Sequence, residues 1–278
     1  MTAQRFDRQP TWTVGLMGLG RIGSLVASEL AAADDLDLRW VVRRQRPASA
    51  AALHAGAPQG AIVCAEADLD PAFLRAHPVD VVIDFSHASA SRHYPMLTQA
   101  GCRIVSAISH YSAAEQRHLD AAAQQAAVLH SPNITLGINF VLVASRLMQR
   151  LAPHADIEVV EEHFRGKPET SGTALKLAQA LGLDPQRQVN SIRVGGIVGR
   201  HEVIFGLPNQ TIRLTHESIS GKAFGQGAIF AARWLARQRP GRYTMEEAVR
   251  STFAVTLADD LAAAGPARPG PANWSSAA

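Results

Sequence analysis

Apolar residues over the first 130 positions follow two alternating patterns. Short runs rich in β-branched residues cover Trp12 to Met17, Leu38 to Val42, Ala61 to Cys64, Val79 to Phe85, Arg103 to Val105 and Ala126 to Leu129. Between them lie Ala-rich stretches of helical periodicity, among them Arg21 to Ala33, Ser89 to Ala100 and Ala113 to Gln125. Strands alternating with helices of this length predict a parallel sheet covered on both faces. The unbroken run Val81-Val82-Ile83 suits a strand buried on both sides.

After Asn139 the pattern changes. The spacing predicts a helix over Phe140 to Leu151, a strand over Ile157 to Glu162 and a helix over Thr173 to Leu181. Three strand-like segments follow, near Ser191 to Val194, Glu202 to Phe205 and Thr211 to Thr215, divided by Gly195-Gly196 and Pro208-Asn209. This half predicts a mostly open mixed sheet carrying a few helices. Phe224 to Gln238 returns to helix, and the Gly/Pro-rich stretch from Gly265 predicts a disordered tail over 265–278.

Composition narrows the class. With 278 residues, 47% apolar and 18% charged, the chain suits one large domain or two modest ones and excludes a largely disordered protein. Its apolar runs, such as Phe140-Val141-Leu142-Val143-Ala144, are too short to span a bilayer. The polar stretch Met1 to Thr11 lacks the apolar core of a secretion signal. Two cysteines, Cys64 and Cys102, exclude a disulfide framework and a cysteine-rich zinc site and are expected to be small buried hydrophobes. A soluble cytoplasmic protein is expected, with no membrane partner. The net charge is +3, yet lysine stands only at positions 167, 176 and 222. Without a basic stripe this balance favours a small anionic ligand over nucleic acid.

Candidate chemistry begins where the first strand runs into Gly18-Leu19-Gly20-Arg21-Ile22-Gly23 and directly into a helix. Gly18 permits the tight turn, Gly20 lets the backbone approach a pyrophosphate, and Gly23 lets helix and strand pack closely. The helix N-terminus attracts the anion. About 20 residues on, where an acid would hold the ribose 2′-hydroxyl of NADH, stand Arg43 and Arg44. Asp34, Asp35 and Asp37 precede the second strand, at the wrong edge for that contact. Guanidinium groups attract a 2′-phosphate, so NADPH is the expected cofactor, with NADH the alternative.

A second constellation, Glu161-Glu162-His163-Phe164-Arg165-Gly166-Lys167, ends a strand, and Ser171-Gly172-Thr173 opens a helix. His163 and Lys167 supply a proton donor and a cation. The Ser-Gly-Thr turn offers N–H groups and hydroxyls suited to a carboxylate. By themselves these residues fit an anion site and an ordinary helix cap with surface cations equally well.

Together the motifs make the chain resemble the dihydrodipicolinate reductase family over nearly its whole length. The matching stretches are the glycine loop, Ile83-Asp84-Phe85-Ser86, Ser131 to Asn139, Glu161 to Thr173, His201 to Phe205, Leu214-Thr215-His216 and Phe224 to Ala228. The resemblance implies an α/β fold: an N-terminal Rossmann, doubly wound parallel sheet that the C-terminal segment rejoins, and an inserted α+β domain with an open mixed sheet. It places the cofactor domain at 1–134 and 223–264 and the substrate and tetramerisation domain at 135–222. It implies hydride transfer from NAD(P)H to a cyclic unsaturated imine carboxylate, in a homotetramer or homodimer. His163 falls on the family's catalytic histidine, Lys167 on its proton-donating lysine, and Ser171, Gly172 and Thr173 on its carboxylate turn. Asp84, Phe85, Ser86, Ala107, Ser109, Ser131 and Asn133 fall beside the cofactor. No metal is implied.

The departures cluster around this site. Phe164 and Gly166 replace histidines, Ala107-Ile108-Ser109-His110 replaces a Gly-Thr-Thr-Gly turn, and Gly221-Lys222 stands where an arginine is expected. They raise the alternatives of another imine or enamine substrate, or of a nucleotide sensor without catalysis. His87, His110 and His130 each follow a predicted strand. Two expectations stand for His110: that it faces the nicotinamide and substrate, supplying the donor lost at Phe164, or that it is one of three unrelated loop histidines.

Overall fold

The computed structural model describes residues 11–46, 49 and 53–263. The expected tail over 265–278 lies outside them. Eleven strands are found among the described residues, arranged in two sheets.

The larger sheet is wholly parallel. It uses β1 (Trp12–Met17), β2 (Leu36–Arg43), β3 (Ile62–Ala65), β4 (Val81–Asp84), β5 (Arg103–Ser106), β6 (Ala127–His130) and β11 (Gly241–Tyr243). Read across, the order is β3-β2-β1-β4-β5-β6-β11. The chain reverses its direction of travel between β1 and β4, which opens a crevice at their C-terminal ends. Alternate side chains enter two cores, as a doubly covered sheet requires. Val14 and Leu16 of β1 pack with α1 (Arg21–Ala31), α8 (Lys222–Leu235) and α9 (Met245–Ala263). Met17 enters the opposite core with Trp40, Leu97 and Leu119. That face is covered by α2 (Pro71–Ala76), α3 (Tyr94–Gln99) and α4 (Ala113–Ala123).

The smaller sheet has the order β10-β9-β7-β8, from β7 (Asp156–His163), β8 (Val189–Arg193), β9 (Arg200–Leu207) and β10 (Gln210–Glu217). β7 pairs parallel to β8 and antiparallel to β9, and β9 pairs antiparallel to β10, so the sheet is mixed. Helices α5 (Leu136–Leu151) and α6 (Gly172–Leu181) supply Ile138, Leu142, Ala174 and Leu177 to one face, against Val159, Val203 and Phe205. The short α7 (Pro185–Gln188) leads into β8.

Two expected elements differ. The helix expected over Ser89 to Ala100 is a tight 3-10 segment, Ala88–His93, followed by α3. Pro95 sits in the first turn of α3, where its missing N–H costs nothing, and so marks a start rather than an interior. The helix expected from Phe140 begins at Leu136. Asn139 satisfies the carbonyls of Asn133 and Thr135, each 2.8 Å away, instead of ending the helix.

Candidate active site

The glycine loop stands at the crevice. Gly18 has φ +94°, and a Cβ there would meet the backbone of Phe85 and Ser86 at 2.7 Å. A Cβ on Gly23 would lie 1.9 Å from the Gly18 carbonyl oxygen. Only glycine at both positions lets β1 turn this sharply into α1 beneath the loop after β4. Gly20 is the N-cap of α1 and contributes no side-chain cap, so the first-turn N–H groups receive none from it. Arg21 is exposed on α1, and Ile22 packs against the first core. A cleft of about 550 Å3 is lined by Gly18, Gly20, Arg43, Arg44, Ser86 and His87, among others.

The two arginines do different things. Arg43 donates from Nε to the Leu53 carbonyl at 2.7 Å and from Nη2 to the Ala55 carbonyl. It ties down the segment after β2. Arg44 is exposed at the cleft. Of the three aspartates, Asp37 lies inside β2 and pairs with Arg39. Asp35 pairs with Arg233 of α8, whose hydrogen bond holds its carboxyl below the usual range.

Asp84, the last residue of β4, is fully buried. Its Oδ1 accepts from the Ser86 N–H (2.8 Å) and hydroxyl (2.5 Å), and its Oδ2 accepts from the Tyr94 hydroxyl at 2.6 Å. Burial raises this carboxyl, against the pull of those donors. Tyr94, Tyr111 and Ser106 continue the chain of hydroxyls at 2.8 and 2.7 Å. This network lies under the turn containing Ala107 and Ser109, and the Ala107 N–H bonds the Asp84 carbonyl at 2.9 Å. Phe85 packs against the first core.

The histidines after the strands serve separate purposes. His87 pairs with buried Glu66 at 2.9 Å, and His130 meets the Ile108 carbonyl at 2.9 Å. His110 is exposed near Glu115 of α4 and has no hydrogen bond to the His163 cluster among the described residues. Among those residues no group of three or more His, Cys, Asp or Glu side chains could hold a metal ion.

The second constellation is built on β7. Glu161 and His163 are two residues apart on one strand, so they share a face. That face is the inner one: Glu161 is fully buried and His163 is 9% exposed. The Glu161 carboxylate accepts from His163 Nδ1, Ser191 Oγ (2.6 Å), the Ser171 N–H (3.3 Å) and two nitrogens of Arg193 (2.9 and 2.6 Å). Burial would raise Glu161, but Arg193 and the other donors outweigh it and bring the carboxyl to about 2. Arg193 uses every donor it has. Beyond Glu161 it holds the carbonyls of Lys167 (3.0 Å), Ile192 (2.9 Å) and Glu169 (2.9 Å). One guanidinium therefore fixes both the His163 carboxylate partner and the loop that carries Lys167. Lys167 is half-buried, and Phe164 is exposed.

Ser171 caps α6, its Oγ accepting from the Thr173 N–H at 3.2 Å. Gly172 is exposed beside it. Thr173 accepts at 3.2 Å from the Asn133 amide, which reaches over from the loop after β6. Ser131, in the same loop, donates to the Asn133 carbonyl at 2.8 Å. Asn133 thereby joins the loop after β6 to the start of α6. Lys222, in contrast, pairs at 3.3 Å with Glu29 of α1. The sequence patterns did not single out Arg193, and they gave His201 no role. Both reach the site through strand pairing, which only the register reveals.

Two family models tile the chain. Residues 12–134 match the N-terminal model of dihydrodipicolinate reductase and residues 134–249 its C-terminal model. The chain belongs to the dihydrodipicolinate reductase family. The 4-hydroxy-tetrahydrodipicolinate reductase of Gluconobacter oxydans is 31% identical over 259 residues, covering 85% of this chain and 96% of that one. That of Caldanaerobacter subterraneus subsp. tengcongensis is 34% identical over 196 residues, covering 62% and 77%. In fold, the dipicolinate-bound dihydrodipicolinate reductase of Paenisporosarcina sp. TG-14 aligns with TM-score 0.71 at 19% identity, over 85% of this chain and 99% of that one. Among the described residues no helix is long and apolar enough to cross a membrane.

Proposed function

We propose that the protein is an NADPH-dependent dihydrodipicolinate reductase, which reduces a cyclic unsaturated imine bearing carboxylates. The observation that carries this reading is the buried Glu161–His163 pair, clamped by Arg193 beside the Ser171–Thr173 turn and linked to the cofactor side through Asn133. Residues 1–134 and 223–264 hold the cofactor, and residues 135–222 hold the substrate and the contacts between subunits of a cytoplasmic tetramer.

The glycine loop fits a dinucleotide. A Cβ on Gly20 would meet nothing within 4 Å, so the backbone there is open to a pyrophosphate. Arg44 takes the 2′-phosphate of NADPH, while Arg43 keeps the wall of the cleft in place. Asp84, Phe85, Ser86, Ala107, Ser109 and Ser131 shape the nicotinamide end, with His110 at its outer rim. NADPH supplies the hydride when bound. The chain's own residues govern the proton and the charge. Lys167 Nζ donates a proton to the substrate atom that gains electron density, and its positive charge offsets a carboxylate before transfer. Glu161 orients the His163 ring through Nδ1, leaving Nε2 toward the substrate. The Ser171–Thr173 turn receives a carboxylate at the start of α6.

The test is NADPH oxidation with dihydrodipicolinate. Lys167→Ala is expected to lower kcat by about 100-fold or more, with NADPH affinity retained. Unchanged turnover would remove Lys167 from the mechanism. A second reading, reduction of an imine with fewer anionic groups, is favoured by Phe164, which is 47% exposed where the family carries a histidine. Turnover of such an imine in preference to the dicarboxylate would select it.

A further inference from the structure

His201 lies at the centre of the substrate side. Strand pairing sets Ser191, Glu161, His201 and His216 directly opposite one another on β8, β7, β9 and β10. They form one polar row across the inner face. His201 is 6% exposed. Its Nε2 is 2.8 Å from Ser171 Oγ, and its ring stands edge-on to His163 at 5.3 Å between centroids. Its Nδ1 is buried with no hydrogen-bond partner among the described residues.

These contacts decide where the imidazole proton sits. Burial, then the nearby charge of His163, lowers His201 to about 4, so the ring is neutral near pH 7. A neutral imidazole has one N–H and one bare nitrogen. With the proton on Nδ1, a buried N–H would be left without a partner, which folded proteins rarely tolerate. With the proton on Nε2, that N–H donates to Ser171 Oγ and the bare Nδ1 costs less. Ser171 Oγ already accepts from the Thr173 N–H at 3.2 Å. A hydroxyl has two lone pairs, and both are then filled. Its own proton has no remaining use except outward donation.

We propose that His201 is a positioning residue: its Nε2–H fills the second lone pair of Ser171 and makes that hydroxyl an obligate donor to a substrate carboxylate. This rests on the reading of Ser171–Thr173 as the carboxylate turn. It adds a source of selectivity, because a hydroxyl that only donates rejects a ligand group that also donates. An amide in place of the carboxylate presents N–H groups and one acceptor, and binds less well for that reason.

Two measurements on the full chain with NADPH bound test it. In protein labelled with 15N-histidine, the His201 imidazole, assigned by its loss in His201→Gln, should show a protonated Nε2 and a bare Nδ1 near neutral pH. Calorimetry with pyridine-2,6-dicarboxylate and its monoamide supplies the second readout. His201→Phe should weaken the dicarboxylate about tenfold, the size of one hydrogen bond to a charged group. The amide nitrogen of His201→Gln replaces the Nε2–H and should keep affinity within about twofold. In a Ser171→Ala background, His201→Phe should add less than about twofold, since the group it acts through is gone. NADPH affinity, unmoved throughout, confirms folding. An Nδ1–H tautomer, or losses that multiply in the double variant, would overturn the role of His201 while the dicarboxylate still binds. Failure of the unmodified protein to bind the dicarboxylate would overturn this inference and the reading of the turn together.

Discussion

Replacing Glu161 with glutamine keeps the side chain's shape and removes its charge. Every hydrogen-bond partner of Glu161 is a donor: Arg193 twice, Ser191, His163 and the Ser171 N–H. Whichever way a glutamine amide turns, its NH2 group faces at least one of them. The carboxyl is held at about 2, against 4.5 for an ordinary glutamate. That difference corresponds to roughly 3 kcal/mol at neutral pH, comparable to breaking a buried charge pair. The pH dependence has a definite sign. A carboxyl lowered on folding stabilises fully above its unfolded value, 4.5, and loses that contribution as pH falls toward its folded value, about 2. Urea unfolding of the protein and of Glu161→Gln should therefore differ by about 3 kcal/mol at pH 7 and converge on acidification below about pH 4.5. In activity, the freed His163 ring should lower kcat more than it raises the KM for NADPH. A gap below about 1 kcal/mol, or one that stays constant into the acid range, would refute the assignment of Glu161 as the charged centre of the cluster.

Other substitutions probe other parts. Arg193→Lys keeps the charge but offers three donors for five acceptors, and should loosen the loop carrying Lys167, lowering kcat/KM about tenfold or more in steady-state assays. Arg44→Glu should raise the KM for NADPH by about 10- to 100-fold, the loss of a charged hydrogen bond, with a much smaller change for NADH. Gly23→Ala brings a methyl to 1.9 Å from the Gly18 carbonyl and should abolish NADPH binding in a fluorescence titration, or lower Tm where the loop yields. Tyr94→Phe strips buried Asp84 of its donor on Oδ2, and should cost about 1–3 kcal/mol in urea unfolding.

Much of this architecture is legible in the order of the residues. The pattern of alternating strands predicts β1 at Trp12–Met17, where the structure places it, because a strand buried on both faces is apolar throughout. β11 is three residues long and escapes any periodicity; it is a strand because it lies along β6. Within the site, the run Glu161 to Lys167 is legible at a strand end, and the two-residue repeat of a strand puts Glu161 and His163 on one face. Arg193 and His201 are not, since they join the pair across β8 and β9, and local sequence does not state which strands become neighbours. The reading of Arg43 and Arg44 as equivalent also needed structure: two adjacent residues point apart, and only one faces the cleft without holding carbonyls of its own wall.

The late return of the chain to its first sheet has a consequence for synthesis. Ala228, Ala231 and Leu235 of α8, with Met245, Ala248 and Val249 of α9, share one core with Val14, Leu16, Val26 and Leu30. A ribosome delivers these two groups about 200 residues apart, which is on the order of ten seconds or more of elongation. Throughout that interval the apolar faces of β1 and α1 lack their cover, and β6, once made, presents an unpaired edge until β11 follows. The smaller sheet, from β7 to β10, is thus complete in the nascent chain before the larger sheet receives β11. The half-made protein is the species that needs protection from aggregation, and residues 12–134, which match one family model, take part of their core from residues 228–249.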